Sequence, residues 1–151
     1  MRNSFRDALI AKKEKYKNLF LIVGDIGFGV FEGFQKSYPE NYLNIGICEA
    51  NTIGVASGLS RNGYIPIVYT IVPFLTMRPF EQIRIDLALH NCKVILVGVG
   101  GGFAYGNLGP THHSFEDLSL MSILPNMRVF SPSQPSESEL AFQLALQHDG
   151  P

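Results

Sequence analysis

Tryptophan is absent from this 151-residue chain, and charge is scarce. Asp, Glu, Lys and Arg make up 17% of the residues, against the roughly 25% of an average soluble domain. So little charge implies that part of the surface is covered by something else, a partner chain or a further domain. There is no cationic excess either. Twelve Lys and Arg against thirteen Asp and Glu leave a net charge of −1, which gives no electrostatic reason to expect nucleic acid or an anionic membrane. Long apolar runs are missing. Val94-Ile95-Leu96-Val97 is among the longest, far short of the roughly 20 residues that span a bilayer. The amino terminus, Met1-Arg2-Asn3-Ser4-Phe5-Arg6-Asp7, lacks the apolar segment of a secretion signal, so a cytoplasmic location is expected. Cysteine is limited to Cys48 and Cys92, far apart and in apolar settings, which reads as free thiols rather than a disulfide.

What is there is a 46% hydrophobic chain, long enough for one domain, residues 1–151, with a full core. Strand-like and helix-like segments alternate. Phe5 to Tyr16 reads as an amphipathic helix. Leu19 to Val23 is apolar throughout, as strands buried on both faces of a parallel sheet are. Further strands are predicted at Leu43–Ile45, Ile65–Tyr69, Lys93–Val97 and Met127–Phe130. Helices are predicted at Phe31–Tyr38, Asn51–Arg61 and Pro79–His90, then from a Ser114 cap through Met121, and from a Ser136 cap over Glu137–Gln147. This alternation predicts an α/β fold, an open, mostly parallel sheet with helices on both faces. Ligands then bind beyond the carboxyl ends of the strands. The pattern calls for another strand after Asp149-Gly150-Pro151, so the chain is expected to be a fragment of a longer protein.

Four segments follow strands directly and so share one edge of the predicted sheet. Gly24-Asp25-Ile26-Gly27-Phe28-Gly29 has neither the dinucleotide spacing nor the lysine of a phosphate-binding loop, and reads mainly as a turn of close backbone approach. Glu49 stands between a strand and the nearly uncharged helix Thr52–Leu59. A carboxylate in such a place must find a partner or stay protonated. Favourable placement at a helix head explains it as well as catalysis does. Ile71–Met77 is an apolar segment suited to core packing or to a wall against a flat ligand. Gly100–Gly109 leads to Thr111-His112-His113, a histidine pair that suits contact with a polar substrate or acid–base work better than metal binding.

Three stretches together resemble a known family. They are Asn44–Leu59 around Cys48-Glu49-Ala50-Asn51; Arg78-Pro79-Phe80-Glu81-Gln82-Ile83-Arg84; and Gly109-Pro110-Thr111-His112-His113-Ser114-Phe115-Glu116-Asp117-Leu118, followed by Ile123-Leu124-Pro125-Asn126-Met127 and Ser131-Pro132-Ser133. Over nearly its whole length the chain resembles the pyrimidine-binding domain of transketolase-like, thiamine diphosphate-dependent enzymes. It looks closest to the C-terminal subunit of a split transketolase. The resemblance implies a thiamine diphosphate-binding fold of the pyrimidine-binding type and a transferase of ketol units between sugar phosphates. Deoxyxylulose-phosphate synthase and the β subunits of 2-oxo-acid dehydrogenases are related alternatives, as is a non-catalytic assembly paralogue.

The same resemblance assigns roles. Glu49 would bond the aminopyrimidine ring nitrogen and share the proton that activates the cofactor. Phe74 would pack on the pyrimidine, with Asp25, Ile26, Ile71 and Met77 also reaching the cofactor. His112 would face substrate in a catalytic role, with His113 beside it. Some positions depart from the family. Ile71 stands where an outer stacking aromatic belongs. Gly100 stands in place of a donor-sugar histidine, and Leu108 in place of an acidic residue. No Gly-Asp-Gly…Asn motif occurs. Mg²⁺ and the diphosphate are therefore expected on a separate N-terminal-type subunit, no metal on this chain, and activity only in a homodimer or heterotetramer with that partner.

Overall fold

The computed structural model describes residues 1–151. Four parallel strands form one sheet in the order β2-β1-β3-β4. They are β1 (Leu19–Val23), β2 (Tyr42–Asn44), β3 (Ile65–Ile71) and β4 (Ile95–Val99). Leu19 to Val23 align with Ile65 to Tyr69, and Ile67 to Ile71 with Ile95 to Val99. β1 and β3 lie inside and are apolar on both faces. Only a strand with cover on both sides can bury such a sequence.

Alternate residues feed two cores, because successive strand side chains point to opposite faces. Leu21, Val23, Ile67 and Tyr69 pack with Phe5 and Leu9 of α1 (Arg2–Lys13), Phe34 of α2 (Glu32–Ser37) and Phe142 of α7 (Pro135–Gln147). On the other face, Ile22 and Val68 meet Ile53 and Ala56 of α3 (Glu49–Arg61). Leu75 of α4 (Val72–Thr76) and Met121 of α6 (Asp117–Ser122) close the same core. So do Ile83 and Leu87, which lie on the π-helical stretch Ile83–Leu89 that continues the short α5 (Phe80–Gln82). The predicted α/β sheet with helices on both faces is the fold observed.

Three local expectations fail. Met127–Phe130 is not a strand; Arg128 donates its N–H to Pro151 O at 2.9 Å rather than joining β4. Ser114 caps no helix. Its backbone pairs with Gly102, its hydroxyl is buried without a partner, and α6 starts three residues later. Ser136 lies inside the first turn of α7, where Gln134 is the cap and Pro135 the first residue. Proline suits that position because the first helical N–H has no intrahelical acceptor. α4 is an addition. The sequence predicts an apolar loop over Ile71–Met77, and its middle winds into a helical turn.

Both cysteines are free thiols. Cys92 is buried 3.7 Å from the Ser57 hydroxyl, and Cys48 is half-buried.

Candidate functional site

Because every strand runs the same way, the loops after β1, β2, β3 and β4 meet at one rim of the sheet. Side chains tie these loops together. Asn44 at the end of β2 accepts from Asp25 N–H and Gly46 N–H, each at 3.1 Å, and donates to Asp25 Oδ1 at 3.1 Å. Asp25 takes a positive φ of 52°, a conformation that short polar residues tolerate best. Gly24 leaves little room for a side chain, since a Cβ there would meet Thr70 Oγ1 at 3.1 Å. The glycine loop behaves as a close-packed turn. Its Gly29 N–H donates to the Glu32 carboxylate at 2.6 Å and is not left for a phosphate. That bond holds the Glu32 carboxyl below its ordinary pKa.

Glu49 is the first residue of α3 and only 7% exposed. Its partner is Arg78, on the link between α4 and α5. Arg78 Nη1 lies 2.9 Å from Oε1 and 3.0 Å from Oε2. The arginine side chain is 46% exposed, so one half of the pair is fixed in the protein and the other reaches water. The guanidinium carbon also sits 3.7 Å from the centroid of the Phe74 ring. Phe74 in turn meets His112 edge to face at 4.9 Å, and Tyr105 meets His112 at 5.9 Å. Thr111 Oγ1 lies 2.9 Å from His112 Nδ1, which fixes the imidazole and leaves Nε2 free of protein partners. A row of carboxylate, guanidinium, aromatic ring and imidazole therefore runs across the rim.

Other expected site residues form no hydrogen bond or ring contact within this row. Ile26 packs against the core beneath α1 and α2. Ile71 ends β3 half-buried, and Met77 is exposed just after α4. His113 turns away from its neighbour. Its Nε2 lies 3.1 Å from Gly106 O, and its ring packs on Phe103 at 4.9 Å. The two histidines thus serve two separate clusters. Arg78 is the residue that sequence reasoning missed. It lies within the Arg78–Arg84 stretch, and the need of Glu49 for a counter-ion was the one signal, which does not say where in the chain that counter-ion stands.

The residues present fit the ring half of thiamine diphosphate. The buried Glu49 carboxylate and the Phe74 ring face both contact one flat group, the Arg78 guanidinium. Glu49 lines a narrow crevice with Gly24, Thr52, Val68, Thr70 and Leu75, too tight to hold a water molecule. No three His, Cys, Asp or Glu side chains gather as a metal site. A larger cavity lies elsewhere, against β4 between α6 and residues 127–130. Its lining is mainly apolar, with Asp117, Arg128 and His148 among the polar residues.

Known proteins share this sequence pattern and fold. The family model described as transketolase, pyrimidine binding domain, matches residues 1–151. One subunit of the apulose-4-phosphate transketolase from Phocaeicola vulgatus is 31% identical over 151 residues, 99% of this chain and 48% of that protein. A 1-deoxy-D-xylulose-5-phosphate synthase from Geobacter sulfurreducens is 35% identical over 119 residues, 79% of this chain and 18% of that one. A solved split-gene transketolase, described as an inactive β4 tetramer, superposes with a TM-score of 0.88 at 32% identity. The match covers 99% of this chain and 48% of the solved one. The chain thus spans about half the length of the transketolase subunits it matches.

Proposed function

The chain belongs to the transketolase pyrimidine-binding domain family, and on that premise we propose that it supplies the pyrimidine half of a thiamine diphosphate site in a split transketolase. The partner is a diphosphate-binding subunit that brings the Mg²⁺ site, and the substrates are sugar phosphates. When bound, the cofactor supplies a carbon nucleophile that accepts and passes on a ketol unit. The observation that carries this reading is the buried Glu49 carboxylate, held at the rim beside the face of Phe74.

This chain's own part is limited and specific. Glu49 bonds the ring nitrogen and shares a proton there. Its fixed place at the head of α3 keeps that bond from being lost to water. Phe74 offers a flat apolar face to one side of the ring. His112, edge to face with Phe74, presents Nε2 to the substrate and is oriented by Thr111. Phosphate and metal binding fall to the partner. The subunit alone is then inactive, like the β4 tetramer of the similar split-gene transketolase.

A synthase-type reaction is the second reading, favoured by the likeness to deoxyxylulose-phosphate synthase. Position 100 bears on it. Gly100 has φ +79°, and a Cβ there would lie 2.0 Å from the Tyr105 ring, so no sugar-binding side chain fits. The test mixes the full-length subunit with its partner, thiamine diphosphate and Mg²⁺. Ketose phosphates and 2-oxo acids are then offered as rival donors. Glu49→Gln is expected to lower kcat by roughly 100-fold or more, the usual contribution of a positioned proton donor. Undiminished turnover in that variant would sink the role given to Glu49.

A further inference from the structure

We propose that Arg78 is an internal stand-in for the cofactor ring. It fills the berth between Glu49 and Phe74 while no ring is there, and it is displaced when one arrives. What the berth is for rests on the function proposed above; that Arg78 fills it is geometry.

A guanidinium is flat, delocalised and rimmed by N–H donors in its plane. Here its carbon lies 3.7 Å from the Phe74 centroid, while one terminal nitrogen reaches both Glu49 oxygens at 2.9 and 3.0 Å. An aminopyrimidine bound to the same two residues would use the same face and the same carboxylate. Two flat groups cannot share one stacking distance, so one of them must leave. Arg78 is the one able to go. Its side chain is 46% exposed against 7% for Glu49. It sits outside a helix, between Met77, where α4 ends, and Pro79. Its long stem can swing into water at little cost, whereas the carboxylate is fixed by α3.

The arrangement has a physical use. A buried carboxylate without a counter-ion is strongly destabilising. Arg78 removes that cost, and in doing so competes with the ligand. Ring binding to this subunit alone is then weak. The diphosphate contacts of the partner would offset the displacement, which ties cofactor loading to assembly.

The test uses the full-length subunit alone and 4-amino-2-methylpyrimidine as the probe, titrated by NMR. Arg78→Met keeps the stem and removes the flat cation. It is expected to bind the probe roughly tenfold tighter than the wild type, the equivalent of about one charge-assisted hydrogen bond. Adding Glu49→Gln should erase that gain. Equal or weaker binding by Arg78→Met, or no binding by either protein, would overturn the proposal and leave Arg78 a fixed support for Glu49. Should Arg78→Met not fold, Arg78→Lys takes its place. It keeps the charge but cannot stack, and is expected to bind the probe more tightly than the wild type; equal or weaker binding again overturns the proposal. A separate titration of thiamine diphosphate into the assembled wild-type complex judges the function itself. Its failure would remove the thiamine reading and leave the probe comparison standing.

Discussion

At the scale of single residues, Gly100 shows how tightly one position can be held. Its φ of +79° is a conformation that side chains resist, and the Tyr105 ring fills the space a Cβ would need. Gly100→Ala is expected to cost about 2 kcal/mol, from backbone strain and overlap with the ring together. It should also move Tyr105 off His112. Denaturant unfolding and the His112 ring shifts in NMR would read the two effects. Gly101→Ala, with nothing within 4 Å of its added Cβ and no positive φ, is the near-neutral control. Glu49 was legible at this scale, because a lone carboxylate at the head of an apolar helix demands an explanation. Arg78 was not, since it lies 29 positions away and the contact forms only when the loops after β2 and β3 meet. The same holds for the parting of His112 and His113, which depends on packing against Phe74 on one side and Phe103 on the other.

Elements add a second layer of determinants. The start of α7 depends on Glu137, whose carboxylate accepts from Ser133 N–H at 2.7 Å and Ser133 Oγ at 2.9 Å. These bonds hold its carboxyl below the ordinary value. A carboxyl depressed in the folded state stabilises above its unfolded pKa, near 4.3, and stops doing so as pH falls through the folded value. Glu137→Gln should therefore lower Tm at pH 7, with the difference closing as the solution is acidified below about pH 4. A thermal melt series across pH 3–7 would check the sign. The elements that were legible in the sequence are those with a strong period, such as α1 and β1. Misreadings fell where tertiary partners decide. Met127–Phe130 has strand composition, but its Arg128 N–H bonds Pro151 O and not β4. Ile71–Met77 looks like a proline-interrupted loop, yet Pro73 sits in the first turn of α4, where its missing N–H is harmless.

The whole molecule is a sheet whose chemistry is confined to one rim. β1 and β3 each have a neighbour on both sides and apolar cover on both faces. Their amides are expected to exchange slowest, near the global unfolding limit, with β2 and the 100–116 loop far faster. Native-state hydrogen exchange would show the order. A fastest-exchanging β3 would contradict its central place between β1 and β4.

The direction of α1 carries a practical consequence. Its first turns lie at the same end of the fold as the end of β3, with Phe5 stacked on Tyr69 at 6.1 Å and Arg2 close enough to act on that phenol. Burial pushes the pKa of the Tyr69 hydroxyl up to about 12. Anything joined ahead of Arg2 thus emerges beside the loops that carry Glu49 and His112. An affinity tag or fluorescent fusion placed there would crowd that rim. Purification handles for reconstitution belong elsewhere, for instance in the surface turn at Asn62-Gly63, which lies at the opposite end of the strands.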